Sequence, residues 1–139
     1  MTIVLKCHPG IGPKVQGEAL VAQDNFSVRY DLDRIKGVFS RPAHKLFGQS
    51  YRDKILVLNT AKGGVASAWM LREMLQSGVT PRALVFNSVN TILAQGAAFA
   101  GLTMVDRFDC PDVTLEIRTG DMVEVDPAEG CVRICAKSG

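Results

Sequence analysis

Residues 54–78 read KILVLNTAKGGVASAWMLREMLQSG. The first six, KILVLN (54–59), are a short apolar run of the kind that forms a buried strand. From Ser67 to Ser77 the spacing turns helical, with Trp69, Met70, Met74 and Leu75 at core positions and Gly78 as a stop. Between strand and helix lie Lys62, Gly63, Gly64, Val65 and Ala66, a cationic loop of small residues. A strand that enters a helix through such a loop is the first half of a parallel crossover.

The pattern repeats downstream. RALVFNS (82–88) reads as a buried strand, TILAQGAAFAG (91–101) as a helix rich in small residues, and LTMVDRF (102–108) as a further strand. Alternation at this spacing predicts right-handed parallel connections. Upstream, KVQGEALVAQ (14–23) is a strand, while residues 31–53, rich in charge and turn formers, read as an excursion over the surface. The tail, VTLEIRTGDMVEVDPAEGCVRICA (113–136), reads as short strands split by TGD and DPAEG, in the manner of hairpins. The expected fold is α/β, one domain over residues 1–139, with a barrel-like central sheet flanked by helices.

Composition narrows the function. The 139 residues are 47% hydrophobic, enough for one packed core, and the formal net charge is +2. Nucleic-acid and membrane-surface binding, which need clustered basic residues, are not expected. No apolar run is long enough to span a bilayer, and MTIVLKCHPGIG lacks the features of a signal peptide. Cys7, Cys110, Cys131 and Cys135 form no C-x-x-C pair, and His8 and His44 keep no zinc-ligand spacing. Reduced thiols, a cytoplasmic location and no metal site in this chain are the expectation.

In parallel α/β sheets ligands gather at the carboxyl ends of strands, where TAKGGVAS (60–67) falls. Backbone N–H groups at a helix start suit an anion, glycines let the backbone approach closely, and Lys62 adds a charge. Ser67 has two readings: a helix N-cap, or a hydroxyl made acidic by its cationic surroundings and able to act as a base. Asn87, Ser88 and Asn90 follow the next strand, where a site role competes with capping. Asp106 ends the TMVD strand and reads as a cap or as support for the glycine loop. Ser40 and Arg41 are candidates for a substrate carboxylate, which an arginine fork suits, against a solvated loop. His8 and His44 read as turn residues. Phe39, Leu46 and Phe47 either expose a docking patch or cover the end of the sheet.

KILVLNTAKGGVASAWML, then ALVFNSVNTILAQGAAFAGLTMVD, then GDMVEVDPAEGCVRI, resembles the small, swivelling subunit of the aconitase X family over roughly residues 14–135. The resemblance implies an aconitase-like swivelling β/β/α domain that docks on a larger subunit as a heterodimer. It also implies an iron–sulfur cluster on that large subunit, none in this chain, and a small hydroxy-carboxylate substrate. The implied reaction is dehydration: the cluster acts on the departing hydroxyl and a serine of the swivelling part, here Ser67, takes a carbon-bound proton. Lys62, Gly63, Gly64, Val65, Ala66, Ser40, Arg41 and Asn87 are the implied substrate contacts. Relatives with a phosphomevalonate substrate carry a serine- and threonine-rich loop where this chain has AKGGVAS (61–67). That departure leans toward the branch acting on cis-3-hydroxy-L-proline, with a phosphomevalonate dehydratase small subunit as the alternative. Outside this family, a stand-alone small-anion binder and a structural scaffold in which Ser67 only caps a helix are the rival readings.

Overall fold

The computed structural model describes residues 3–61, 65–89 and 91–137, with backbone alone at 29, 65–68, 91, 92 and 99. Its strands are β1 (Ile3–Lys6), β2 (Val15–Val21), β3 (Leu32–Asp33), β4 (Val38–Phe39), β5 (Ile55–Ala61), β6 (Ala83–Val89), β7 (Thr103–Val105), β8 (Met122–Asp126) and β9 (Cys131–Ala136). The helices are α1 (Val28–Asp31), α2 (Val65–Ser77), α3 (Thr91–Ala100) and α4 (Val113–Glu116). Seven strands form one sheet in the order β1-β9-β8-β2-β5-β6-β7. Neighbours from β2 to β7 run parallel, as the two helical crossovers dictate, and those from β1 to β2 run antiparallel.

The sheet curls back on itself. Beyond β1, Cys7 bridges Phe108 and Ile11 bridges Met104, so the chain after the first strand meets the far edge at β7. Ile11 and Met104 exchange both backbone hydrogen bonds, at 2.9 and 3.0 Å. This is the barrel-like closure expected, made by the segment CHPGIGP (7–13) that reads as a plain turn in the sequence. Gly10 passes so close to β7 that an ideal Cβ there would stand 2.2 Å from the Met104 carbonyl oxygen.

Alternation along the strands divides the core into two layers. Leu56 and Leu58 of β5 and Leu84 and Phe86 of β6 face Leu71 and Met74 of α2 and Leu93 and Ala97 of α3. Ile55, Val57, Ala83 and Val85 face the inside of the curl, with Val123, Val125, Val132 and Ile134 of the hairpin and Val113 and Ile117 around α4. Burying each such side chain contributes about 1.5–3 kcal/mol relative to leaving it in water.

Four sequence expectations are corrected. α2 begins at Val65, two residues before Ser67, and its buried face is Leu71 and Met74; Trp69 is 54% exposed and Leu75 is exposed as well. The stripe is rotated because the sheet and α3 choose which side is covered, and a helical period alone does not. VTLE (113–116) is a helical turn, capped by Asp112, and not a strand. Residues 31–53 hold the β3–β4 hairpin and are anchored by Phe39, Leu46 and Tyr51, all buried in the helix-side layer. Phe39 and Leu46 therefore cover the end of the sheet, while Phe47 is exposed. Among the described residues no helix is long and apolar enough to cross a membrane.

Candidate functional site

The carboxyl ends of β5, β6 and β7 lie on one edge, since Thr60 pairs with Ser88 and Val85 with Val105 in parallel register. Lys62, Gly63 and Gly64, which leave this edge directly after β5, lie outside the described residues, as does Asn90. Val65, Ala66 and Ser67 are described by backbone alone. They form the first turn of α2, so Ser67 stands inside the helix and the capping position falls before it.

Around that point a polar network covers the strand ends. The chain leaving β2 runs beside β5: Asn59 N donates to the Asp24 carbonyl at 2.9 Å, Phe26 N donates to the Thr60 carbonyl at 2.8 Å, and Phe26 bridges Ala61. This places the Asn25 side chain over the end of β5, where its oxygen accepts from Asn59 Nδ2 at 3.2 Å and Thr60 Oγ1 at 2.8 Å. Asn59 in turn accepts from Asn87 Nδ2 at 3.0 Å. Asn87 also donates to Asp112 Oδ1 at 2.9 Å and accepts from Val113 N at 2.8 Å. Both hydrogens of its amide are thus engaged within the chain, and what Asn87 does here is tie α4 to the end of β6. Hydrogen bonds from Thr114 and Asn87 hold the Asp112 carboxyl below its usual range.

On the other side of β5 sits Arg41. Its Nε donates to Asp31 Oδ1, and that carboxylate holds the guanidinium above its ordinary value. Arg41, Asp31, Asn25, Phe26, Ser27 and Tyr30 line an open hollow of about 240 Å³. Ser40 is exposed, and its backbone N–H donates to the Asp31 carbonyl at 2.8 Å. The Phe26–Ala61 bridge sets this hollow beside the end of β5.

His44, far from being a plain turn residue, is buried and organises this side. Its ring stacks on Phe39 with centroids 4.7 Å apart. Nδ1 accepts from Leu46 N at 3.0 Å, which leaves the ring proton on Nε2, and Nε2 donates to the Asn25 carbonyl at 2.8 Å. Asp24 and Asp31 flank it at 3.8 and 3.9 Å. Burial pushes the Asp24 carboxyl up, but backbone N–H groups of Lys45 and Asn25, with the charge of Arg41, outweigh it, so its net shift is downward.

Among the described residues, Asp106 caps no helix. It leads out of β7, pairs with Arg107 at 3.8 Å, and lines a second hollow with Arg107, Val89 and Ala94.

Sequence reasoning passed over Asn25, Asn59, Asp112 and Arg107. PDVT (111–114) did carry a signal, an aspartate at a helix start, which the alternating VTLEI obscured. The asparagines carry no signal until the strands are paired.

The Cys7 thiol is pushed up to about 12, first by burial and then by the neighbouring Cys131, Asp106, Asp109 and Cys110. Burial also raises Cys110 and Cys131. Among the described residues no three His, Cys, Asp or Glu side chains converge on a point where a metal could sit.

Known proteins resemble this chain in sequence and in fold. The phosphomevalonate dehydratase small subunit of Thermococcus sibiricus is 35% identical over 130 residues, 94% of this chain and 97% of the relative. That of Methanococcoides burtonii is 31% identical over 134 residues, 96% and 97% of the two chains. The crystal structure of Thermococcus kodakaraensis aconitase X in its holo-form superposes with a TM-score of 0.86 at 29% identity, covering 95% of this chain and 98% of that one. A solution NMR structure of a UPF0107 protein gives 0.80, also at 29% identity, covering 94% and 97%. Residues 4–134 match the aconitase X swivel domain, from the first strand to the last, and the chain belongs to that family.

Proposed function

We propose that this chain is the small subunit of an aconitase X-type dehydratase acting on phosphomevalonate. The observation that carries this is the run of relatives named phosphomevalonate dehydratase small subunit, up to 35% identical and matched nearly end to end. The lean toward cis-3-hydroxy-L-proline rested on one divergent loop and finds no support among them. A single loop can change while strand ends and helices keep their positions. Small-subunit relatives imply a large-subunit partner, and the reaction is that of a hydro-lyase.

In this reading the active site is completed when the strand-end rim faces the large subunit. The iron–sulfur cluster, assigned to the large subunit, supplies the chemistry of hydroxide departure. What this chain contributes is a base and a grip. Ser67, in the first turn of α2, takes the carbon-bound proton, and its alkoxide is favoured by Lys62 and by unpaired N–H groups at the helix start. Gly63 and Gly64, with Val65 and Ala66, present backbone to the substrate. Arg41, at the neighbouring hollow, and Ser40, before it in the chain, hold its carboxylate. Asn87 keeps the floor of the rim in place through Asn59 and Asp112.

The test is reconstitution. Purified small and large subunits are mixed and assayed with phosphomevalonate and with cis-3-hydroxy-L-proline. Dehydration of the first and not the second, lost in Ser67→Ala at unchanged complex formation, is the expected result. Turnover of hydroxyproline alone would replace the substrate, and full activity in Ser67→Ala would remove that hydroxyl from the mechanism.

A further inference from the structure

Two described residues other than glycine have positive φ: Asp53 at 58° and Arg107 at 60°. Asp53 sits in a turn, where a short polar side chain tolerates the left-handed conformation. Arg107 has no such excuse. It lies two residues past β7, on the edge that carries the Ser67 helix, and glycine would serve the backbone there with less strain. Strained non-glycine positions gather at functional sites, and this one is fixed from both sides. Arg107 N donates to the Asn87 carbonyl at 3.1 Å, and the Arg107 carbonyl accepts from His8 N at 3.2 Å.

The side chain held in this way is 65% exposed, on an open hollow of about 210 Å³ between the end of β6, the first turn of α3 and β7. Asp106, mostly covered, faces its Nε at 3.8 Å. A lone carboxylate in this hollow would repel an anion. Paired with Arg107 it instead orients the guanidinium, whose two terminal nitrogens can grip an oxyanion as a fork. Arg41 lines the separate hollow that contains Phe26, the residue bridged to Ala61 at the end of β5.

We infer that Arg107 binds the second acidic group of the substrate, its phosphate, at this hollow. This inference rests on the dehydratase reading above and adds to it a residue that recognises the phosphorylated end.

The experiment uses the complex with the large subunit and the variants Arg107→Lys, Arg107→Ala and Arg107→Gly. Loss of a charge-assisted contact raises KM for phosphomevalonate roughly ten- to a hundredfold in the alanine and glycine variants, with lysine between and kcat little changed. The glycine variant separates binding from folding, since glycine suits the backbone and its melting temperature should match or exceed wild type. Mevalonate, which lacks the phosphate, should be turned over equally by wild type and variants. An unchanged KM, or an equal loss on both substrates, overturns the assignment. If the wild-type complex does not dehydrate phosphomevalonate, the substrate reading fails. The arginine is then judged by calorimetry with inorganic phosphate: weakening of about tenfold in Arg107→Gly supports it, and equal affinity rejects it.

Discussion

Asn87 Nδ2 donates to Asp112 Oδ1 at 2.9 Å while Asn87 Oδ1 accepts the Val113 N–H at 2.8 Å, so one side chain at the end of β6 holds both the cap and the first amide of α4. A four-residue helix cannot stand alone, because helix nucleation is unfavourable. What keeps it is this clamp and the burial of Val113 and Ile117 on the inner layer. Asn87→Ala strands the partly buried Val113 N–H and takes one donor from the Asp112 carboxylate, which keeps Thr114. Stability should fall by about 2–3 kcal/mol, and Asp112→Ala by about 1 kcal/mol. Urea midpoints of the two single variants and the double variant check this. The pair acts as one unit, so the double variant should lose less than the sum.

The same carboxylate makes the fold acid-sensitive in a defined direction. Asp112 titrates below an ordinary carboxylate because Thr114 and Asn87 donate to its charged form. A depressed native value means its contribution is fully present above the unfolded carboxylate value, about 3.9, and is lost as pH falls through the lower native value. Wild type should therefore lose stability relative to Asp112→Asn as pH drops from neutral to below that range. Parallel melting curves would read the difference, and a gap that widens on acidification would contradict the sign.

His44 offers a sharper test of the Arg41 side. It links the Asn25 carbonyl to the Leu46 amide through both ring nitrogens, with no side-chain surface left to solvent. Replacement by phenylalanine keeps the stacking on Phe39 but leaves the part-buried Asn25 carbonyl and the buried Leu46 N–H unpaired, costing about 2–4 kcal/mol. Asn25, Asp24 and Asp31 would loosen with it, so the KM of the reconstituted enzyme should rise more than kcat falls. A variant that melts early yet keeps its KM would show that the ring supports the fold alone.

How much of this lay open in the sequence depends on the range of the contact concerned. The parallel crossovers were legible because KILVLN and RALVFNS are continuous apolar runs, which a strand buried on both faces requires. The hairpin of β8 and β9 was legible from the turn chemistry of DPAEG. The face of α2 was not, because Trp69 and Leu71 both satisfy a helical period and only the packing partners decide between them. Phe39, Leu46 and Tyr51 looked like parts of a surface excursion because their partners come from distant elements. At the site, Arg41 could be singled out, but the nearness of its hollow to the end of β5 depends on the bridge from Phe26 to Ala61, which no local spacing encodes.

The thiols should divide by accessibility. Cys135 is exposed near the end of β9, whereas Cys131 is buried and the Cys7 thiol, desolvated and beside Asp106 and Asp109, titrates near 12. Attack requires thiolate, so at pH 8 a thiol-specific reagent should modify Cys135 rapidly and Cys7 and Cys131 only on unfolding. Mass mapping after a short pulse measures this directly. Prompt labelling of Cys7 in the folded chain would mean that its burial is overstated.

The closure of the sheet is the feature most exposed to a single substitution. Gly10 lies against β7, and a Cβ would meet the Met104 carbonyl oxygen at 2.2 Å and Val105 Cγ1 at 2.8 Å. A carbonyl in a bridge cannot swing aside as a flexible side chain can, so Gly10→Ala must push the whole 7–11 segment away. The Ile11–Met104 bonds at 2.9 and 3.0 Å would go with it. A loss of about 2–4 kcal/mol is expected, in the range of overpacking combined with broken backbone pairing. Gly48→Ala is the contrast: its φ is positive, at 82°, and nothing stands near its missing Cβ, so it reports backbone strain without the clash that Gly10→Ala creates. Hydrogen exchange should separate the two. Gly10→Ala should speed exchange at Ile11 and Met104 beyond the change in global stability, because losing the seam opens the curled sheet at that edge first.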